Sequence, residues 1–399
     1  MKIGVIENPH SNWTAGSVLT DTLTRSLASA AGKDDEIFSI SASDTAVDGV
    51  RTLRQLRWDP LPGEARLLDR LGLARDLPLP GETALRSALG LRDRTNPYSL
   101  AAEHGLDVLL PVHGVPRRTH GVRSIGWIPD FQHVLLPQQF SEVERRGRDH
   151  DFRQLAGRAD RILLSSKAVL ADFVQRYPGS AGKARAISFV SRFAHFPVEQ
   201  PPGMAIARYR LPQKFALVVN QFWSHKNHAV VVDALVRLKK AGLRIPFVLT
   251  GLPSDYRDPR NGTLSRLLQA IAEGGVREEV TVLGFVERAQ LNDLLRCAAV
   301  IVQPSLCEGW NTTVEDAKAL GRPLLCSDLA VHREQAPSAL GFFPPEDGSA
   351  LAELLSAHWP GLNPGPDPDH ETKSLKAARE AGREYGRLML DLCHEAARR

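Results

Sequence analysis

Two hydrophobic rhythms interleave along the chain. Short, continuously apolar runs fall at residues 3–6, 107–110, 124–128 and 162–164 in the first half. In the second half they fall at 215–219, 246–250, 280–283, 300–302 and 323–326. Runs this short, with no polar alternation, suit strands that are buried on both faces. Between them lie stretches of helical period: across residues 229–240, Val231, Leu235 and Leu238 recur at i, i+4 and i+7 and line one face. Strands alternating with helices predict an α/β architecture, with doubly wound parallel sheets covered by helices on both sides.

The rhythm breaks at "HFPVEQPPGMAIARYRLPQ", where Pro197, Pro201, Pro202 and Pro212 accompany a loss of clear period. A linker over residues 197–211 is expected there. It separates a first domain, residues 1–196, from a second, residues 212–371. After the Pro/Gly-rich stretch "PGLNPGPDPDH", residues 372–399 have the pattern of a helix long enough to return to the first domain. Two such domains face one another across a cleft, and open α/β sheets bind ligands beyond the C-terminal ends of their strands. A length of 399 residues fits two domains of roughly 100–200 residues each.

Composition adds mainly exclusions. The chain is 43% hydrophobic, yet no stretch reaches the roughly 20 apolar residues of a membrane-spanning helix. The opening "MKIGVIENPHSN" is too short in its apolar run for a signal-peptide core. A cytoplasmic location is therefore expected. Cys297, Cys307, Cys326 and Cys393 have no metal-ligand or disulfide-scaffold spacing and are expected to be reduced core thiols. Net charge is only +4, but arginine gathers at Arg51, Arg54, Arg57, Arg66, Arg70, Arg75, Arg86, Arg92 and Arg94. Such a run suits a peripheral seat on an anionic membrane or a phosphate-bearing acceptor; solvated helix faces account for it as simply. Trp58 is the one aromatic residue in that run, too little to stack successive bases, so no nucleic-acid partner is expected. "GSAGKAR" lacks the spacing of a P-loop, and neither H-E-x-x-H nor G-x-G-x-x-G occurs.

The candidate chemistry lies where the apolar runs end. After the run at 300–302 comes "QPSLCEGWNTTVED", in which Glu308 precedes a helix head formed by Asn311, Thr312 and Thr313 and carrying Glu315 and Asp316. Free N–H groups at such a head suit an anion. Thr312-x-x-Glu315 is a capping-box pattern, which gives Glu315 a structural role, while Glu308 has no such local role. Earlier, "VVNQFWSHKNH" places Asn220, Gln221, Trp223, His225 and Lys226 between a strand and a helix, where an ammonium can meet a diphosphate.

These segments resemble the glycosyltransferases of the GT-B fold and family 4 type (glycosyl transferases group 1), in which two acids flank seven residues at a helix head. The resemblance implies that Glu308 lies near the transferred sugar and that Asp316 accepts hydrogen bonds from the ribose, Glu315 being the alternative. Ala317 and Gly321 fit the same register. Lys226 matches the family's pyrophosphate lysine, but Gln221 stands where that family has arginine. By position, Phe285 and Val286 are candidates for the nucleobase, and Gly251 and Gly16 for close backbone approach to the donor. Asp130 matches the second residue of the family's His-Asp pair, while Pro129 replaces the histidine; His133 is the candidate to take its place. The implied activity is transfer of a sugar from a nucleotide-diphosphate donor to a hydroxyl of a glycan or lipid-linked acceptor, with retention and without metal or other cofactor. A nucleotide-sugar 2-epimerase and a non-catalytic nucleotide-sugar binder share the architecture. A metal-dependent transferase would need an Asp-x-Asp pair, for which the chain offers "DHD" at 149–151 and "DPD" at 367–369.

Overall fold

A computed structural model describes residues 1–7, 14–41, 47–54, 96–116, 119–198, 201–253, 255, 257–258 and 262–398. Most of the arginine run, from Arg57 to Arg94, lies outside the described residues. The first half forms β1 (Lys2–Ile6), β2 (Glu36–Ser41), β3 (Val50–Arg54), β4 (Val108–Val112), β5 (Arg123–Ile128), β6 (Arg161–Leu164) and β7 (Ala184–Ala186). Its helices are α1 (Thr14–Ala30), α2 (Pro97–Glu103), α3 (Gln132–Leu135), α4 (Glu142–Arg158) and α5 (Lys167–Arg176). The second half forms β8 (Ala216–Val219), β9 (Phe247–Thr250), β10 (Val280–Gly284), β11 (Val300–Gln303), β12 (Leu324–Ser327) and β13 (Gly341–Phe343). With them run α6 (Met204–Tyr209), α7 (His228–Lys240), α8 (Gly262–Glu273), α9 (Arg288–Cys297), α10 (Thr312–Ala319), α11 (Ala330–Gln335), α12 (Gly348–His358) and α13 (Pro368–Ala397).

The strands make two parallel sheets, ordered β3-β2-β1-β4-β5-β6-β7 and β10-β9-β8-β11-β12-β13. The register between β4 and β5 shifts between Leu109 and Val112, where Pro111 has no N–H to give to the ladder. Every residue of β4, β6, β9, β11 and β12 is buried, as parallel strands covered on both faces require.

Strand alternation divides each domain's core in two. In the second domain Ala216, Val218, Phe247, Leu249, Val300 and Val302 pack against α7 and α12. Their neighbours Phe215, Leu217, Val248, Ile301, Leu324 and Cys326 pack against α9 and α10 on the other face. The first domain does the same: Leu109, Ile162 and Leu164 meet Phe152 and Leu155 of α4. On its opposite face Ile3, Val5, Val108, Leu110 and Ile125 meet α1 and the C-terminal helix through Leu23, Leu27, Met389, Leu392 and Cys393. Among the described residues no helix is long and apolar enough to cross a membrane.

Two element boundaries differ from the sequence reading. Within the expected linker, Met204–Tyr209 is helical because Asp293, on α9, accepts hydrogen bonds from the N–H groups of Gly203 at 2.8 Å and Ala205 at 2.6 Å. That cap comes from about ninety positions away and leaves no local signal. The final helix starts at Pro368 rather than near 372, because Asp367 accepts from the His370 N–H at 3.0 Å and proline suits the first turn.

The final helix lies against α1 so closely that a Cβ on Gly386 would sit 2.1 Å from the Ser26 carbonyl oxygen. Arg161, on β6, further ties it by donating to the Glu395 carboxylate at 3.2 Å and to its carbonyl at 2.9 Å. In an isolated helix Gly→Ala stabilises by about 1 kcal/mol. Here the backbone clash wins, and Gly386→Ala is expected to destabilise the protein by about 1–3 kcal/mol in denaturant unfolding.

Candidate active site in the interdomain cleft

The chain leaves β8 through Asn220 and Gln221, makes a 3-10 turn at Ser224–Lys226, and enters α7 after Asn227. Asn227 has φ +54°, a left-handed conformation that asparagine tolerates, and its amide donates to the Pro304 carbonyl at 3.0 Å and the Pro345 carbonyl at 2.6 Å. The Leu306 N–H donates to the His225 carbonyl at 2.8 Å. These bonds fasten the Lys226 loop to the loop after β11.

Lys226 Nζ thereby reaches Glu308 Oε1 at 2.6 Å, with the two side chains 15% and 8% exposed. The same oxygen accepts from Ser305 Oγ at 2.6 Å, Asn311 Nδ2 at 2.9 Å and Gln303 Nε2 at 3.2 Å. Gln303 is itself paired with Asn220 at 3.2 Å. Burial pushes the Glu308 carboxyl up, and Lys226 and Ser305 more than offset it, leaving the group below its ordinary value. Four donors converge on one oxygen of an acid for which the sequence offered no structural partner.

Helix α10 starts differently from its capping-box reading. Asn311 is the cap, accepting from the Val314 N–H at 3.1 Å, while the Glu315 carboxylate instead accepts from Lys318 at 2.8 Å and from Gln335 Nε2 at 3.0 Å. Gln335, on α11, also donates to the Asn311 carbonyl at 2.7 Å, which draws Glu315 away from the helix start. Thr312 opens the helix and Thr313 Oγ1 donates to the Val219 carbonyl at 3.0 Å, fixing the helix head beside the end of β8. Asp316, one residue on, faces the crossover between domains and accepts from Ser191 Oγ at 2.6 Å. Burial raises its carboxyl, against the pull of Ser191, Arg288 and Arg192.

The first domain reaches this site along one edge. An added Cβ on Gly309 would lie 1.9 Å from the Pro129 carbonyl oxygen and 3.2 Å from Asp130 Cβ, so the two loops are in backbone contact. Asp130 accepts from the Gln132 N–H at 2.9 Å. Trp310 Nε1 donates to the Phe189 carbonyl at 3.0 Å, and Glu334 accepts from the Lys167 N–H at 3.0 Å and that of Ala168 at 3.3 Å, capping α5 from the other domain.

The structure therefore gathers Lys226, Glu308, Asn220 and Asn311 in one network, sets Thr313 against the end of β8 and brings Asp130 to the network's edge. His133 is a correction: its ring packs on Phe131, Phe140 and Phe152, its Nε2 lies 3.1 Å from Asp149, and it is 2% exposed, so it cannot meet a sugar. Phe285 is 59% exposed at the C-terminal end of β10, whereas Val286 is buried in the core. Gly251 is needed for packing, since a Cβ would lie 2.0 Å from the Asn220 carbonyl oxygen. Gln221 is half-buried and Gly16 buried. Gln303 and Ser305, both touching Glu308, were not singled out in the sequence, although their places directly after the apolar run at 300–302 were the available signal. His332 was also missed: it is fully buried beside Ser327, and the Glu308 and Lys226 charges both act on it.

Neither Asp-x-Asp stretch makes a site. Asp149 faces His133 and Asp151 is exposed on α4, while Asp367 caps α13 and Asp369 is exposed in its first turn. Among the described residues no group of three or more His, Cys, Asp or Glu side chains could hold a metal ion. All four cysteines are buried and unbridged.

Residues 205–357 match the protein family described as glycosyl transferases group 1. The O-antigen chain mannosyltransferase B of Escherichia coli is 27% identical over 203 residues, which are 50% of this chain and 45% of that protein. A D-inositol 3-phosphate glycosyltransferase of Xylanimonas cellulosilytica is 25% identical over 64% of this chain and 62% of its own length. The chain thus spans less than two thirds of the length of these curated relatives. Sucrose-phosphate synthase from Thermosynechococcus elongatus superposes with a TM-score of 0.65 at 18% identity, covering 98% of this chain and 97% of that one. Anabaena HepE in complex with UDP-glucose gives 0.58 at 14% identity, covering 100% and 98%. The fold is GT-B: two parallel-sheet α/β domains facing a cleft.

The two acids act on stability in opposite senses. Glu308, held below its ordinary value, contributes stability that is present above the unfolded glutamate value and is lost as pH falls through the depressed folded one. Asp316, held above its ordinary value, contributes stability that is present below the unfolded aspartate value and is lost as pH rises through the raised folded one. Urea unfolding at pH 7 and pH 4 is expected to show a smaller acid-induced loss for Glu308→Gln than for the wild type, and a larger loss for Asp316→Asn.

Proposed function

We propose that this chain transfers a sugar from a nucleotide-diphosphate sugar to a hydroxyl of a glycan or lipid-linked acceptor, with retention of configuration. The observation that carries the reading is the Lys226–Glu308 pair, buried where the loops after β8 and β11 meet and bordered by Asp130 across the cleft. Lys226 and the head of α10 form a positive end suited to a diphosphate. When a donor diphosphate takes the ammonium, Glu308 keeps its bonds from Ser305, Asn311 and Gln303, so it stays ionised close to where positive charge develops on the sugar.

Among the described residues no activated nucleophile stands beside Glu308. The nearby Cys307 thiol is pushed far up by burial and by the Asp130 and Glu308 charges. The reading is therefore attack by the acceptor oxygen on the face the diphosphate leaves: the sugar C1–O bond to phosphate breaks, the bond to the acceptor forms, and the acceptor proton passes to the departing diphosphate. Asp130 is the group proposed to orient the acceptor hydroxyl. Asp316 is the proposed ribose acceptor, since Glu315 is drawn aside by Lys318 and Gln335. Exposed Phe285 offers a face to the base.

Calorimetric titration with UDP, GDP, ADP and dTDP, with and without EDTA, tests this. One nucleotide is expected to bind regardless of chelator. Lys226→Ala is expected to weaken it roughly ten- to hundredfold, as loss of a charge-assisted bond implies, and Asp316→Ala to weaken it more than Glu315→Ala. If no nucleotide binds, the donor site is wrong; donor turnover without any acceptor, giving an isomerised sugar, would instead favour epimerisation.

A further inference from the structure

Arg257 lies beyond β9, outside every segment that carried the sequence reading, and its guanidinium spans the cleft. Within its own domain it forks onto Asp255, with Nε to Oδ1 at 3.1 Å and Nη2 to Oδ2 at 3.3 Å, and stands 5.3 Å from the Trp223 ring centroid. Its Nη2 also lies 3.3 Å from His225 Nδ1. Towards the first domain it stands 5.0 Å from the Phe140 ring centroid, and its Nη1 lies 3.4 Å from Gln132 Oε1. Arg148 covers the Phe140 ring as well, at 4.8 Å. The Arg257 side chain is only 7% exposed.

The placement of His225 gives this contact its meaning. The ring is buried, and burial together with the Lys226 and Arg257 charges pushes its imidazole well below the ordinary value, so it is neutral and Nδ1 can accept from the guanidinium. The backbone of the same residue precedes Lys226 and holds the Leu306 N–H. A guanidinium touching Phe140 and Gln132 on one side and His225 on the other thus connects the first domain to the loop that sets Lys226 against Glu308. Lysine could not do this, since only the planar fork can hold Asp255 while lying against two rings.

We propose that Arg257 is a positioning residue: closing the cleft seats its guanidinium between Trp223 and Phe140, and that seat holds the Lys226 loop in register with the Glu308 loop. What Lys226 does there rests on the transferase reading, whereas the closure itself does not. Gln132, adjacent to the Asp130 loop, makes the same contact report on the acceptor side of the cleft.

The test uses the full chain as Arg257→Ala, Arg257→Lys, Phe140→Leu and the Arg257→Ala/Phe140→Leu double variant. Small-angle scattering of the ligand-free proteins reads closure. Calorimetry with UDP, GDP, ADP and dTDP reads the donor site, and turnover of whichever of UDP-glucose, GDP-mannose, ADP-glucose or dTDP-glucose is accepted reads catalysis. Expected are a larger maximum dimension for all variants and nucleotide affinity within about threefold of wild type. A kcat lowered about 10- to 100-fold is expected for Arg257→Ala, as for a misplaced catalytic group. Little recovery is expected with lysine, and no further loss in the double variant, because both changes remove one contact. Phe140→Leu approaches the contact from the other domain and leaves Asp255 paired. Nucleotide affinity falling as far as in Lys226→Ala would make Arg257 a donor ligand and overturn the proposal. A scattering profile and kcat equal to wild type would do so too. If the wild type turns over no donor, the transferase reading fails while scattering alone still decides the closure.

Discussion

A carboxylate buried between two domains must be answered by donors, and in this chain the answer organises the site. Leaving an ion of this kind unpaired away from water costs several kcal/mol. Glu308 is supplied with Lys226, Ser305, Asn311 and Gln303 on one oxygen. Each donor comes from a different structural commitment: the turn before α7, the loop after β11, the cap of α10 and the end of β11. Satisfying one charge therefore fixes the ends of two neighbouring strands and the starts of two helices. Further bonds from Asn227 to the Pro304 carbonyl and from Thr313 to the Val219 carbonyl brace the same elements, and a second bond from Asn227, to the Pro345 carbonyl, adds the loop after β13.

The first domain approaches this network through backbone rather than side chain. Gly309 lets the Pro129 carbonyl come within what would be Cβ distance, so Asp130 is brought beside the network by an absence of atoms. Several other contacts across the cleft are polar or cation–aromatic: Glu334 on the start of α5, Ser191 on Asp316, Trp310 on the Phe189 carbonyl and Arg257 against Phe140, while the Trp310 ring also packs on the first domain's apolar core. Apolar burial instead holds the C-terminal helix to the first domain. Such a division suits a hinged pair, since polar contacts can be exchanged with water or ligand at modest cost while a packed helix cannot.

Much of this was legible in the chain. The apolar runs located both central sheets because fully buried parallel strands leave uninterrupted hydrophobic stretches, and Lys226 and Glu308 stood out because each follows such a run. Strands β2, β3, β7 and β13 lay outside the runs read: serines interrupt "EIFSIS", while "VRTLR" and "ARA" are short and half-exposed, and none of these three carries such a run. Helix α6 escaped because Asp293 caps it from a distant helix. The capping box failed for a related reason, since the pattern at Thr312 and Glu315 was locally sound but Gln335, brought by α11, drew the acid elsewhere. His133 misled because a histidine three residues after Asp130 is near the cleft in sequence, yet one turn of α3 points it into the aromatic core. Tertiary partners, which no local pattern encodes, decided the cases of α6, the capping box and His133.

The adjacent acids on α10 show how one residue of spacing separates two environments. Successive helical residues point about 100° apart, so Glu315 faces α11 while Asp316 faces the crossover that joins the domains. Glu315, partly neutralised by Lys318, serves the packing of α10 on α11. Asp316 is buried with a single hydroxyl at 2.6 Å from Ser191, and the strain of that burial appears as a raised carboxyl. A group held this way gains from further hydrogen-bond donors on its ionised form, and a pair of vicinal hydroxyls would supply them.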